Sequence, residues 1–198
     1  MTEIRTMYMV NNLDLKINRK EAMRYLRIAK SDSITDVLAN ECIKEIYQIA
    51  SPKAVYLESE IEFLDDDMVK FDFMTVKSHS LTVNLKRCKR AIVFSATLGI
   101  EVDRAIEKYS KILQSKAAVY HAVGSALIEA FCNYVDDALT ENVRKSTRRF
   151  SPGYGDLPLE CQRDILKALD AERKIGIILS DSLLMSPSKS VTAIIGIK

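Results

Sequence analysis

The spacing of hydrophobic positions changes along the chain, and the first change separates two helices from a set of strands. Asn18 to Glu21 has the spacing of a capping box and is followed by an apolar stripe, which predicts a short helix. A second helix is predicted to start near Asp32 and to end at Ser51-Pro52. Its core-facing positions recur every fourth residue: Ile34, Leu38, Cys42 and Ile46.

The hydrophobic period then shortens to two residues, which indicates strands. Residues 55–63 alternate between apolar and polar side chains, and Asp65 to Asp67 have the polarity of a turn. Alternation resumes at 69–73 and again at Leu81, Val83 and Leu85, so 55–85 is predicted to be an antiparallel meander of three strands. Residues 91–94 are continuously apolar, which predicts a central strand covered on both faces.

The second half of the chain is predicted to be mainly helical. An amphipathic helix follows Gly99, and a longer one runs from about Lys116 to about Arg144. A further helix is predicted with Pro158 and Glu160 in its first turn and Gly176 at its end. The last strands are predicted at 177–179 and 191–197, joined by a loop rich in serine and proline.

These elements predict an α+β fold with a twisted, mainly antiparallel sheet flanked by helices. The 198 residues are 47% hydrophobic, which is enough for one sizeable core. No internal repeat or low-complexity linker interrupts the pattern. We therefore expect residues 1–198 to form a single domain.

Charge and cysteine content exclude several classes of function. A net charge of +2 gives no electrostatic reason to expect nucleic acid or an anionic membrane as a partner, and the basic run 86–90 is predicted to be the solvated end of a strand. No apolar stretch is long enough for a signal peptide or a membrane span, which predicts a cytoplasmic protein. The four scattered cysteines are expected to be buried thiols, and His79 and His121 are expected in a loop and a helix rather than as metal ligands.

The loop at 149–158 is the strongest candidate for a binding site. Arg149, Tyr154 and the turn residues Gly153 and Gly155 combine a fixed cation, an aromatic surface and a backbone that a ligand can approach closely. The alternative is a surface arginine and a tyrosine that only packs the turn. Glu129 lies beside the apolar face of its helix, where it is either an ordinary ion-pair partner or a partly buried carboxylate facing a ligand.

Common enzyme motifs are absent from the sequence. It contains no phosphate-binding P-loop, no dinucleotide-binding glycine motif, no G-x-S-x-G and no H-E-x-x-H. We therefore expect the protein to bind and position a reactive cofactor rather than to supply a catalytic nucleophile or base, and no catalytic residue is predicted.

Three blocks of sequence, in this order, resemble one known family. Residues 126–131 (ALIEAF), 149–158 (RFSPGYGDLP) and 184–191 (LMSPSKSV) resemble the activation, or reactivation, domain of cobalamin-dependent methionine synthase, in a stand-alone form. Residues 96–99 also resemble its stand-alone relatives, so the resemblance extends from about residue 90 to the C-terminus.

The resemblance implies an accessory role in methionine biosynthesis. The family's domain binds S-adenosylmethionine and, with an electron from flavodoxin or a ferredoxin-like donor, helps to convert inactive cob(II)alamin into methylcobalamin. It further implies that Arg149 binds the carboxylate of the methionine moiety, that Glu129 attracts its ammonium, and that Tyr154 lies near the sulfonium. Phe150 and Gly153, in the same loop, are also predicted to be cofactor-binding residues. Cobalamin would be met only on a partner, either methionine synthase or another corrinoid methyltransferase, on which the chain acts in trans.

The sequence departs from the family at both ends. The family's domain continues into a segment with a Tyr-Tyr pair, which has no counterpart before Lys198, and no position matches the family's N-terminal aspartate. One alternative is therefore a non-enzymatic module that docks on or caps a corrinoid protein without binding S-adenosylmethionine. Another is an enzyme with a substrate of its own.

Overall fold

The computed structural model describes residues 3–8, 15–17, 19–26 and 33–198. Its elements are, in chain order, β1 (Arg5–Tyr8), α1 (Arg19–Tyr25), α2 (Ser33–Ile49), β2 (Lys53–Leu64), β3 (Met68–Phe71), β4 (Thr75–Lys77), α3 (His79–Asn84), β5 (Arg90–Thr97), α4 (Ile100–Ile112), α5 (Gln114–Thr140), α6 (Cys161–Ala168), α7 (Ala171–Ile175), β6 (Ile178–Leu179), β7 (Met185–Ser186) and β8 (Ser190–Ile197). The predicted order of two helices followed by strands is found from α1 to β3, but the sequence did not predict β1, which precedes both helices. The predicted cap at Asn18 and the predicted start at Asp32 lie outside the described residues.

The main sheet is antiparallel and has the strand order β4-β3-β2-β5-β8, with β1 added beside β2. Strand β5 lies between β2 and β8, and every residue from Ala91 to Thr97 is buried. The prediction of a central strand covered on both faces is therefore confirmed. Its continuous apolar sequence is needed because each face meets a separate layer of helices.

Two apolar clusters cover the two faces of the sheet. Alternate residues of β5 contribute to each, with Phe94 in the first cluster and Val93 in the second. The first cluster joins the sheet to α1, α2, α4 and α5, and its core-facing positions in α2 include the fully buried Cys42 and Ile46. The second joins the opposite face to α3, α6 and α7. The predicted α+β class, with an antiparallel sheet flanked by helices, is confirmed.

The prediction of a strand at Leu81, Val83 and Leu85 is wrong, because this segment forms α3 and its C-terminal end. The third strand of the meander is instead β4, which pairs with β3. Ser78 caps the helix, since its Oγ accepts a hydrogen bond from the backbone N of Leu81 at 3.0 Å. Leu81 and Leu85 are buried whereas Val83 is 57% exposed, so the pattern that resembles alternation has the four-residue spacing of a helix.

Other predicted boundaries also need correction. Helix α5 ends at Thr140, before the predicted Arg144, and α6 begins only at Cys161, after a turn that contains Pro158 and Glu160. Gly176, with φ of +76°, ends α7 as predicted. Strand β6 pairs with β7 in a separate small sheet, so only β8 of the two predicted last strands joins the main sheet.

The basic run 86–90 is the turn between α3 and β5 rather than the end of a strand, and only Arg90 belongs to β5. His79 is the first residue of α3 instead of a loop residue, whereas His121 lies in α5 as predicted. The four cysteines are free and buried, as predicted. Within the described residues, no helix has both the length and the apolar character needed to cross a membrane.

The segment between α5 and α6 lies along the outer edge of β8. The backbone of Phe150 forms two hydrogen bonds with Ile194, at 2.9 and 2.8 Å, and Ser146 bridges to Ile197. Thr147 adds two bonds to Gly196: its N donates to the carbonyl at 2.9 Å and its Oγ1 accepts from the glycine N at 2.8 Å. These bonds place the start of the 149–158 loop beside the sheet.

Candidate functional site

A cavity of about 330 Å³ lies where α5, the 149–158 loop, α6 and the chain around β7 and β8 meet. Its lining includes Glu129 from α5 and Arg149 and Tyr154 from the loop, all three of which were predicted from the sequence. Another cavity, of about 390 Å³, lies between α6 and α7 and is lined by none of the predicted site residues. The first cavity is therefore the candidate site.

Arg149 is held by one face of α5. Its Nη2 donates to Asn133 Oδ1 at 2.8 Å and to Glu129 Oε2 at 3.4 Å, and its Nε lies 3.9 Å from Asp136 Oδ2. The acceptors at 129, 133 and 136 share a face because they are four and three residues apart on a helix. This contact fixes the direction of the guanidinium and leaves its side chain 20% exposed.

One nitrogen of the same guanidinium is unused. Arg149 Nη1 is buried and has no hydrogen-bond partner among the residues that the structure describes. A buried donor without an acceptor is uncommon and unfavourable, which points to a group that is supplied from outside the chain. Because Arg149 lines the cavity, its guanidinium is placed to attract an anionic ligand.

Glu129 completes the charged part of the cavity. Its side chain is 37% exposed, and it forms an ion pair with Arg149 at 3.4 Å. A carboxylate accepts several hydrogen bonds, so one long contact leaves acceptor capacity for a second cation. The ion-pair interpretation of Glu129 from the sequence is thus observed, with Arg149 as the partner, and its contact with a ligand stays a prediction.

The loop that carries Tyr154 is a series of tight turns. Gly153 has φ of +87°, a conformation that favours glycine, and its N donates to Leu157 O at 2.9 Å. The N of Tyr154 donates to Ser151 O at 3.1 Å, and the N of Leu157 donates to Tyr154 O at 3.0 Å. These bonds present the Tyr154 side chain outward, where it is 65% exposed at the rim of the cavity.

Asp156 attaches the far end of this loop to α3. Its Oδ1 accepts from Ser78 Oγ at 2.7 Å and from Ser80 N at 3.0 Å, and its Oδ2 accepts from His79 N at 2.8 Å. The hydrogen bonds from Ser78 and Ser80 hold the pKa of this carboxyl well below its usual range. Gly155 is required beside it, because a Cβ there would lie 2.6 Å from Ser80 Oγ.

Phe150 and Gly153 do not line the cavity. Phe150 is bonded to β8 and packs against the second apolar cluster, with its ring centroid 6.4 Å from that of Tyr154. Gly153 supplies the turn. Arg149, Glu129 and Tyr154 are therefore brought together by the fold, whereas Phe150 and Gly153 shape the loop between them.

Sequence reasoning missed Gln162 and Thr192 in the polar wall of the cavity, whereas Ser190 lies in the 184–191 block that it singled out. Gln162, Ser190 and Thr192 line the cavity and are 5%, 9% and 2% exposed. A signal for Gln162 was present, since it precedes Ile165 by three residues and Leu166 by four and so lies on the buried face of its helix. A polar side chain at such a position needs hydrogen-bonding partners.

Cys132 also lines the cavity but is not poised as a nucleophile. Burial raises the pKa of its thiol to about 12, so the thiolate is scarce at neutral pH. The neighbouring Asp136 carboxyl also has a raised pKa, because burial outweighs the opposing effect of Arg149. The site thus offers charge complementarity and hydrogen bonds, which suit binding rather than covalent chemistry.

Comparison with known proteins relates this arrangement to one solved fold. No protein-family model matches the sequence, and no curated protein matches it significantly. The chain is similar to a solved structure described as the crystal structure of the MetH reactivation domain bound to AdoHcy, with a TM-score of 0.71 and 16% sequence identity over 98% of this chain and 78% of that chain. The resemblance inferred from the three sequence blocks is therefore confirmed at the level of structure, and the chain has the fold of the MetH reactivation domain.

Proposed function

We propose that this protein binds S-adenosylmethionine in the cavity between α5 and the 149–158 loop. We further propose that it supports, in trans, the reductive methylation of inactive cob(II)alamin on a separate corrinoid methyltransferase such as methionine synthase. The observation that carries the proposal is a cavity lined by the cation Arg149, the anion Glu129 and the ring of Tyr154, where Nη1 of Arg149 has no partner among the described residues. The shared fold with a reactivation domain that was solved bound to AdoHcy supports it.

The charged part of the cavity suits the amino-acid end of this ligand. A zwitterion needs one fixed cation and one fixed anion, and Arg149 and Glu129 supply them 3.4 Å apart. In the proposed complex, the ligand carboxylate accepts from the guanidinium of Arg149 and its ammonium lies against Glu129. Asn133 keeps the guanidinium oriented in the absence of ligand, which reduces the cost of ordering it on binding.

Tyr154 suits the positively charged sulfur. A sulfonium is favoured near the face of an aromatic ring, and the exposed ring of Tyr154 stands at the rim of the cavity. Phe150 and Gly153 act indirectly in this proposal, because they set the course of the loop. The role of the chain is to bind and orient the methyl donor, and none of its residues is assigned a covalent step.

The remaining components belong to the partner proteins. Cobalamin would be carried by the methyltransferase, and a flavodoxin-like or ferredoxin-like protein would supply the electron. One electron and the methyl group of S-adenosylmethionine together convert cob(II)alamin into methylcobalamin, and S-adenosylhomocysteine is released.

Calorimetry tests the ligand assignment. The wild-type protein should bind S-adenosylmethionine and S-adenosylhomocysteine, and Arg149→Ala should weaken both by about 10-fold to 100-fold, the usual effect of removing charge-assisted hydrogen bonds. Arg148→Ala is the matched control, because Arg148 is adjacent and exposed. The absence of binding to the wild type, or equal binding to Arg149→Ala, would contradict the proposal.

A reconstitution assay tests the action in trans. A methionine synthase that lacks its own reactivation domain is allowed to become inactive, and this protein is added with an electron donor and S-adenosylmethionine. Recovery of turnover that depends on S-adenosylmethionine and on Arg149 is expected. Docking without such recovery indicates a capping module, and turnover of a small molecule without any corrinoid protein indicates an independent enzyme.

A further inference from the structure

Gln162 is a buried polar residue in the wall of the proposed ligand cavity. It is the second residue of α6 and is 5% exposed, and beside it lies Thr192, which is 2% exposed. Neither side chain carries a charge. The cavity thus has a charged part at Arg149 and Glu129 and a neutral polar wall that the zwitterion of the ligand does not require.

The hydrogen bonds of Gln162 leave part of its amide unused. Its Nε2 donates to Leu183 O at 3.1 Å, and its Oε1 accepts from Thr192 Oγ1 over a long 3.5 Å. Within the described part of the chain, the side chain forms no other hydrogen bond. A primary amide has two N–H donors and two acceptor lone pairs, so one donor and one acceptor remain for a ligand.

A donor and an acceptor side by side in one plane match the edge of adenine. Adenine presents its exocyclic amino group next to a ring nitrogen, and glutamine pairs with that edge through two hydrogen bonds. The bond to Leu183 opposes rotation of the amide, so the order of donor and acceptor is fixed. A base with the reverse order, such as hypoxanthine, would leave buried groups unpaired.

We propose that Gln162 is the residue that recognises the adenine of the ligand, an inference that rests on the proposed binding of S-adenosylmethionine. Recognition uses the amino group and a neighbouring ring nitrogen as partners of the free amide N–H and oxygen. Arg149 and Glu129 then select the amino-acid end, and Gln162 selects the base. Together they distinguish an adenosyl ligand from other sulfonium or amino-acid compounds.

The test uses calorimetry to compare the binding of two nucleoside compounds to the wild type, to a Gln162 variant and to a control variant. S-adenosylhomocysteine and S-inosylhomocysteine differ at the base, where the inosine compound has a carbonyl in place of the amino group. The wild type should prefer the adenosine compound by about tenfold or more. Gln162→Met should lose about tenfold in affinity for the adenosine compound and little for the inosine compound, so that the preference collapses. Lys167→Met, an exposed substitution in the same helix, should retain the preference for the adenosine compound.

The outcomes separate this inference from the function on which it rests. Equal wild-type affinity for the two compounds, or an undiminished preference in Gln162→Met, overturns the role of Gln162 while the ligand assignment stands. Failure of the wild type to bind S-adenosylhomocysteine overturns both. Thermal unfolding shows whether Gln162→Met is folded. If it is not, Gln162→Glu, which has the same shape but no amide donor, is used in its place.

Discussion

Arg149 attaches its loop to α5 and is proposed to bind the ligand, and a single substitution can separate the two roles. Its Nη2 and Nε face Asn133, Glu129 and Asp136 on α5, as expected of an arginine that holds a loop to a helix. Its buried Nη1 adds nothing to that attachment. The attachment therefore accounts for only part of the guanidinium, and the proposed ligand site would use the rest.

Arg149→Lys should separate attachment from binding. A lysine keeps the positive charge beside Glu129 but lacks the planar fork, so it cannot bond to α5 and to a carboxylate in two directions at once. The affinity for S-adenosylmethionine should fall by about tenfold, with a small change in Tm. Calorimetry and thermal unfolding measure the two effects, with Arg148→Lys as the control. Unchanged affinity would show that charge alone suffices.

Lys189 is a buried cation whose hydrogen-bonding partners are neutral. It is 5% exposed, and its Nζ lies 3.0 Å from Ser125 Oγ and 3.1 Å from His121 Nδ1. Burial lowers the pKa of the ammonium to about 8, although the charge of Asp103 on α4 opposes the shift. Burial and Lys189 also lower the pKa of His121, so this histidine titrates at lower pH than Lys189.

Stability should therefore rise with pH in alkaline solution. Between the folded pKa of Lys189, about 8, and the higher pKa of an unfolded lysine, the unfolded chain binds the additional proton. The wild type should gain about 1–3 kcal/mol between pH 7 and pH 10 relative to Lys189→Met. Urea unfolding at several pH values measures this difference. Parallel pH profiles would contradict the prediction.

At the scale of elements, Asp156 couples the 149–158 loop to α3. One carboxylate accepts hydrogen bonds from Ser78, His79 and Ser80, so the first turn of the helix and the end of the loop hold each other. The short α3, which spans only His79–Asn84, depends on such contacts because an isolated helix of this length is not stable. Damage to this contact should disturb both elements.

Asp156→Asn should weaken the attachment of the loop to α3 without changing a residue that lines the cavity. An amide accepts through one oxygen only, so part of the set of bonds is lost, and Tm should fall by about 2–4 °C. Ligand affinity should fall less than in Arg149→Ala. The acid side of the pH–stability profile should also flatten, because the wild type loses the stabilising effect of this carboxylate as pH falls through its lowered pKa. Asp164→Asn, an exposed change in α6, is the control.

The sequence predicted elements wherever the hydrophobic period was long or uninterrupted. Strand β5 and the buried ridge of α2 were found for this reason. Leu81 and Leu85 were misassigned because their spacing fits both a helix and a strand, and the deciding contact, from Asp156, is distant in sequence. The predicted helix after Pro158 is divided at Asp170, whose φ of +50° no short-range pattern indicated.

The candidate site was likewise predicted where the local sequence is distinctive and missed where it depends on contacts between distant residues. The charged pair and Tyr154 were predicted, because the 149–158 and 126–131 blocks are specific in composition and order. Gln162 was missed because its importance depends on Thr192 and Leu183, which only the fold brings to it. Local sequence therefore identified the charged end of the cavity, and tertiary packing determined the neutral end.

At the scale of the whole molecule, Gly196 lies where the sheet, α3 and the site-bearing segment meet. A Cβ at this position would lie 2.6 Å from Cys88 Sγ, 2.9 Å from Leu85 Cδ2 and 3.0 Å from Thr147 Cγ2. The close packing of these three parts of the chain around β8 thus requires that residue 196 has no Cβ. Overpacking here would push apart β8, the end of α3 and the segment that leads into the 149–158 loop.

Gly196→Ala should destabilise the whole protein by about 1–3 kcal/mol, the usual cost of overpacking a tight core. Urea unfolding measures the change. Gly196→Ala combined with Cys88→Ala should recover part of the loss, because removal of the Cys88 sulfur clears the closest clash. An unchanged stability in the single variant would contradict the packing described.

The hydrogen bonds of Phe150 and Thr147 to β8 have a consequence for solubility. β8 lies at one end of the main sheet, and an exposed edge strand can pair with a strand from another molecule. The segment that leads into the site occupies part of that edge at Ile194 and Gly196. Variants that free this segment should therefore self-associate as well as bind ligand weakly, and a ligand that fixes Arg149 should protect the protein against aggregation.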